Sequence, residues 1–124
     1  MRDPTETRHG WLSQVILGVH DLPGTVGRLV DLGFGVVAGG RHPDHGTGNA
    51  FVPLGRSYLE ILSIVDRAMA GRSGYATALA TAIRDGERLV RWSLRTSRID
   101  EVAAELGFDV EARRRIRPLR PARR

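Results

Sequence analysis

Apolar and polar positions along this chain change period several times, and each change predicts an element. Residues 11–19, WLSQVILGV, form a short apolar and β-branched run that predicts a strand, buried in part on both faces. Asp21 offers an N-cap, and Pro23 fits a first helical turn, where a missing N–H costs nothing. Leu22, Val26, Leu29 and Val30 then recur at helical spacing, giving one apolar stripe that runs to Leu32. Gly33 suits a left-handed helix end. Residues 34–38 predict a short strand, which Gly39 and Gly40 break. Residues 41–48, RHPDHGTG, read as a loop by their Pro and Gly content. Residues 49–54 and 57–65 predict two strands joined by a two-residue turn at Gly55 and Arg56. Pro53 is tolerated there if its edge lies away from ladder pairing. The order over residues 11–65 is β-α-β-β-β.

Residues 66–70 predict a short helical turn. Residues 75–84 predict an Ala-rich helix with Leu79, Ala82 and Ile83 on its buried face, stopped by Asp85 and Gly86. The pattern then restarts. Residues 89–96, LVRWSLRT, predict a strand without clean alternation. Ser97 with Asp100 resembles a capping box, and Ile99, Val102, Ala103 and Leu106 make a helical stripe that Gly107 ends. Residues 108–110 predict the start of one more strand. The segments LGFGV at 32–36 and LGFDV at 106–110 carry the same helix-end-to-strand pattern, so the chain holds an internal repeat. The fold class expected is α+β: a βαβββ module and a partial second one. The organisation expected is one domain over 11–112, comprising a first module (11–65), a connecting helix (66–88) and the partial module (89–112), followed by an Arg-rich tail at 113–124.

Composition changes this picture in three ways. A length of 124 residues suits one domain with a real core. There is no Cys, which excludes disulfides and thiolate chemistry. The formal charge of +5 dissolves on inspection: all 19 basic residues are Arg, and seven of them lie in residues 113–124. Residues 1–112 hold the other 12 Arg against all 14 acids, a balance of −2. The basic character belongs to the tail and gives no support to a nucleic-acid-binding fold. No apolar run reaches 18 residues, and residues 1–13 lack a hydrophobic stretch, so a cytoplasmic protein without membrane segment or secretory signal is expected. P-loop, dinucleotide-binding and nucleophile-elbow motifs are missing.

The stretch GRHPDHGTGNAFVPLGRSYLEILSIVD (40–66), with its HxxHGTxN…YLE pattern, and ERLVRWSLRT (87–96) resemble the glyoxalase-like domain family of the vicinal oxygen chelate superfamily. The resemblance covers about residues 12–112. It implies that paired βαβββ modules curve into a cup holding a divalent metal, each module offering one ligand from its first strand and one from its fourth. Carried over residue by residue, Gln14 falls at the first-strand position and Glu60 at the fourth-strand position. Many relatives have His at the former; one type of glyoxalase I uses Gln and Glu. The resemblance thus implies Mg²⁺, Mn²⁺, Ni²⁺ or Zn²⁺ on Gln14 and Glu60, with Glu60 also the catalytic group of a metal-dependent lyase or isomerase. The first-strand position of the second module falls at about Arg91, whose guanidinium cannot ligate a metal. One chain then supplies at most two ligands, whereas a homodimer would bring two Gln and two Glu.

The residues themselves leave alternatives open. Glu60 shares its strand face with Tyr58 and Leu62. If that face is the cup, Glu60 needs a cation partner or a proton; otherwise it is an exposed acid. Gln14 is a ligand or an ordinary hydrogen-bonding strand residue. Of Arg91 and Trp92, one faces the cup; an inward Arg91 would bind a carboxylate or phosphate, or pair with Glu60. Trp92 is otherwise a core or interface residue. Asn49 contacts a ligand or holds its loop. His45 and His42, three apart, are a substrate contact and a chelating pair, or simply solvated. The expected partner is a small molecule, transformed by an enzyme or merely sequestered by a binding protein of the same fold; the loss of pattern at about residue 112 also leaves open a truncated relative without activity.

Overall fold

A computed structural model describes residues 7–110. Nine elements follow one another: β1 (Trp11–Val19), α1 (Leu22–Asp31), β2 (Val37–His42), β3 (Thr47–Leu54), β4 (Ser57–Ile64), α2 (Arg67–Ala70), α3 (Gly74–Ala82), β5 (Arg88–Arg95) and α4 (Ile99–Leu106). The fold is α+β, built on one five-stranded sheet of order β2-β3-β4-β1-β5. β1 and β4 run parallel, and the other neighbours run antiparallel. The β-α-β-β-β order expected of the first module is present, and β5 followed by α4 repeats the order of β1 followed by α1.

Helices cover both faces of the sheet. On the outer face, Val19, Val52 and Ile61 are buried beneath Leu22 and Leu29 of α1, with Leu17, Val36 and Leu59 around them. The face of α1 that turns inward is Leu22, Thr25, Val26 and Leu29; Thr25 is buried and Val30 is exposed, which rotates the expected stripe by one position. Asp21 caps α1 through the Gly24 N–H, and Gly33 follows the helix with φ +94°. On the opposite face, Ile16 and Leu62 pack under Leu79 of α3 and Ile83 at its C-cap. Close approach there depends on Gly18, where an added Cβ would come within 2.6 Å of Ile83 Cγ2.

Three expectations are corrected. The second strand runs Val37–His42 instead of 34–38, and Gly39 and Gly40 lie inside it at a register shift, so part of the expected loop is strand. Ser97 does not cap α4; Arg98 occupies the cap position without a side-chain bond, since Ser97 and Asp100 do not meet the helix N–H groups. Residues 108–110 form no strand, because no neighbouring strand offers them a ladder. Residues 7–10 are held by a Thr7–Gly10 bridge and by contacts of Arg8 and His9 with Glu105 of α4. Pro53 behaves as expected, since β2 pairs with β3 only as far as Phe51. The Arg-rich tail lies outside the described residues. Among the described residues no helix is long and apolar enough to cross a membrane.

Candidate functional site

The register decides which side chains can meet. Gln14 stands opposite Tyr58, and Ile16 opposite Glu60, across the parallel pair. Ser93 stands opposite Gln14, and Arg91 opposite Ile16, on the other side of β1. Phe51 of β3 faces Glu60. Side chains alternate along each strand, so Gln14, Glu60, Phe51, Tyr58, Arg91 and Ser93 share one face. This cup face is the one that α3 covers further along. Trp92 stands opposite Val15 and points to the other face, where it is 60% exposed. Of the expected pair, Arg91 is therefore the inward residue.

Glu60 is half-buried and held from one side. Asn49 Nδ2 donates to Glu60 Oε1 at 2.9 Å. The Gly40 N–H donates to Asn49 Oδ1 at 3.0 Å, which fixes which way the Asn49 amide faces. The second Nδ2 hydrogen then points at His42 Nε2, 3.2 Å away, so that nitrogen is the acceptor. His42 Nδ1 is consequently the protonated one and donates to the buried Thr47 hydroxyl at 2.9 Å. The chain Thr47–His42–Asn49–Glu60 leaves no buried side-chain polar atom unsatisfied among the described residues. Gly39 is needed for this arrangement, because a Cβ there would overlap Asn49 Oδ1 and the Asn49 carbonyl. Gly39 inside β2 thus makes room for the side chain that holds Glu60.

The remaining residues surround Glu60 at longer range. Phe51 and Tyr58 pack edge to face at 5.6 Å beside it. Gln14 Nε2 donates to Ser93 Oγ at 3.5 Å, leaving the amide oxygen of Gln14 as an acceptor on the cup face. The Arg91 guanidinium stands 5.1 Å from the centre of the Tyr75 ring, in cation–π range, and makes no ion pair with Glu60. Partial burial, and then the nearby Glu60 charge, push the Tyr75 hydroxyl above the usual phenol range, with Arg91 opposing. Tyr75 thus stays a neutral hydrogen-bond donor between an acid and a cation. His45 is exposed, bonded to Ser73 Oγ at 2.7 Å, with its ring 5.2 Å from Tyr75. His42 and His45 face different partners and do not form a chelating pair.

Tyr75 and Ser93 were not singled out in the sequence. Ser93 was within reach, being two residues from Arg91 on the same strand face. Tyr75 comes from a helix whose position over the sheet the local pattern does not encode.

The donor set tests whether a divalent cation fits. Gln14 and Glu60 supply two oxygen donors, but no three His, Cys, Asp or Glu converge among the described residues. The nearest additional strand contributes Arg91, a permanent cation. Within the described chain, these residues do not make a closed divalent-metal site.

A family model for the glyoxalase-like domain matches residues 14–124. The chain belongs to the glyoxalase-like domain family. Solved structures agree on the fold. Methylmalonyl-CoA epimerase from Mycobacterium tuberculosis is 22% identical with a TM-score of 0.55, over 77% of this chain and 61% of that one. A hypothetical protein of Bacillus halodurans is 16% identical with a TM-score of 0.58, over 77% and 65%. The Streptomyces coelicolor methylmalonyl-CoA epimerase, solved with 2-nitronate-propionyl-CoA, is 21% identical with a TM-score of 0.58, over 77% and 69%. This glyoxalase-like chain therefore spans less than two thirds of the first two of these proteins. No curated protein matches it.

Proposed function

We propose that the cup face binds a small carbonyl compound bearing a carboxylate or phosphate, and that Glu60 moves its α-proton in an isomerase- or lyase-type reaction. The single observation that carries this reading is the Asn49 clamp. It holds Glu60 Oε1 at 2.9 Å and leaves the second carboxylate oxygen without a hydrogen bond among the described residues, on the face shared with Gln14 and Arg91. Arg91 anchors the anionic end of the ligand by charge-assisted hydrogen bonds. The free oxygen of Glu60 takes the proton from the carbon next to the carbonyl, and the electron pair moves onto the carbonyl oxygen as an enolate. The Arg91 charge and the neutral Tyr75 hydroxyl stabilise that oxygen. Glu60 then returns the proton to carbon. The solved epimerases, one of them bound to an acyl-CoA nitronate, support a reading in which this fold handles such anions.

A divalent metal, as the resemblance implies, would take Gln14 and Glu60 from this chain and further donors from elsewhere; none of the steps above passes through it. A homodimer also belongs to the proposal. β5 is an edge strand exposing Leu89 and Leu94 along with Trp92, the kind of edge that a second copy covers.

The test is hydrogen exchange at the α-carbon of 2-oxobutyrate in D₂O, followed by NMR alongside binding. Wild type should bind and exchange. E60Q should bind but lose exchange by about 10²-fold or more. R91A should lose binding. A second reading, a binding protein without turnover, is favoured by Arg91 standing where a ligand residue is expected. Saturable binding that depends on Arg91, with no exchange, would establish it. Exchange unchanged in E60Q would refute the assignment of Glu60.

A further inference from the structure

The two parallel strands end in a place of their own. β1 leads into α1, which packs on the outer face, while β4 leads through α2 into α3, which packs on the opposite face. Adjacent parallel strands whose connections leave to opposite sides open a crevice at their carboxyl ends, and such crevices are the habitual ligand sites of sheets with parallel strands. Here the crevice is real. A cavity of about 470 Å³ lies against Val19 and His20 at the end of β1 and Ser63 and Ile64 at the end of β4. That volume falls in the range of small-molecule sites, roughly 300–1,000 Å³.

Its chemistry is lopsided. Ala70, Ala76, Ala80 and Ile83 form apolar walls, and the small side chains of α2 and α3 keep the space open. The polar lining is Arg67, His20, Ser63 and Thr77, with no acid among them. The acids next in sequence are engaged as helix caps, Asp21 on the Gly24 N–H and Asp66 on the Met69 N–H. The Arg67 side chain makes no ion pair or hydrogen bond among the described residues. An apolar slot with an unpaired guanidinium at its exposed edge selects an anion with an apolar body.

We propose that this cavity is a second ligand site, distinct from the Gln14–Glu60 face, for a small carboxylate with an apolar aromatic or branched body. The two sites share no lining residue. The cavity touches Ser63 and Ile64, three and four residues beyond Glu60, and Val19, five beyond Gln14, roughly 10–16 Å along the strands. The carboxylate would sit at Arg67 and the body against Ala76, Ala80 and Ile83.

The experiment is a ¹H–¹⁵N NMR titration of the full chain with sodium phenylacetate, and with neutral phenylacetamide as control. Saturable shifts should appear at the amides of Ser63, Ala76 and Ala80. Phenylacetamide should bind at least about tenfold more weakly. R67A, at an exposed position, should weaken phenylacetate by a similar factor, and A80L should block it by filling the slot. E60Q and R91A should bind it as wild type does, which separates this proposal from the one above. Absence of saturable shifts at the cavity, shifts confined to Gln14 and Arg91, or binding indifferent to both R67A and A80L would overturn it.

Discussion

Asn49 is the residue on which the site turns. Its oxygen takes the Gly40 N–H, and its nitrogen serves Glu60 and His42. Substituting Ala removes three hydrogen bonds and leaves a backbone N–H and a carboxylate without that partner. N49A is expected to lower stability by about 1–3 kcal/mol in urea unfolding, and to reduce any α-proton exchange as well. G39A should mimic part of this effect, since its Cβ displaces the Asn49 side chain. Tyr75 offers a spectroscopic check. In a Y58F background its phenol should ionise above the ordinary value of 10.0; E60Q should lower that pKa and R91A raise it further. The fold holds the protonated phenol, so the native state binds more protons than the unfolded one between the two pKa values. Stability therefore falls as pH rises through that window.

At the scale of elements, the strands were legible wherever apolar runs met a clear turn. β1, β3 and β4 follow from WLSQVILGV, from the apolar residues after Gly48, and from SYLEILSI around the Gly55–Arg56 turn. β2 was misplaced because two adjacent glycines read locally as a break. Gly39 leaves room for the Asn49 side chain, which reaches it only once β3 has paired. Glu60 and Gln14 were legible as a pair on one face because strand alternation and the resemblance agree. Tyr75, the His42 tautomer and the inward turn of Arg91 were not, because each depends on a partner from a distant segment. α3 is the element that closes the cup face at one end. L79A should cost about 2–5 kcal/mol, through lost burial and the cavity left behind. G18A should cost about 1–3 kcal/mol by crowding Ile83 and Leu79. Thermal or urea unfolding measures both.

At the scale of the molecule, one sheet carries two opposed surfaces and two candidate pockets, and the N-terminal turn is tied to the last helix. The bond from His9, with Arg8 and Arg98 assisting, holds the Glu105 carboxyl below the usual carboxylate range. That contact is present above the ordinary carboxylate pKa and is lost as pH falls through the lowered one. It lies on the surface, so salt should weaken it. The cup face carries a direct reporter in the composition. Gln14 is the only Gln in the chain and Asn49 the only Asn. An ¹H–¹⁵N spectrum of the full chain therefore contains two side-chain amide pairs, and both belong to this face. On titration with 2-oxobutyrate, the Gln14 pair should shift saturably and the Asn49 pair should follow through Glu60, with both responses abolished in R91A. Saturable backbone shifts elsewhere, with both amide pairs unmoved, would contradict the account.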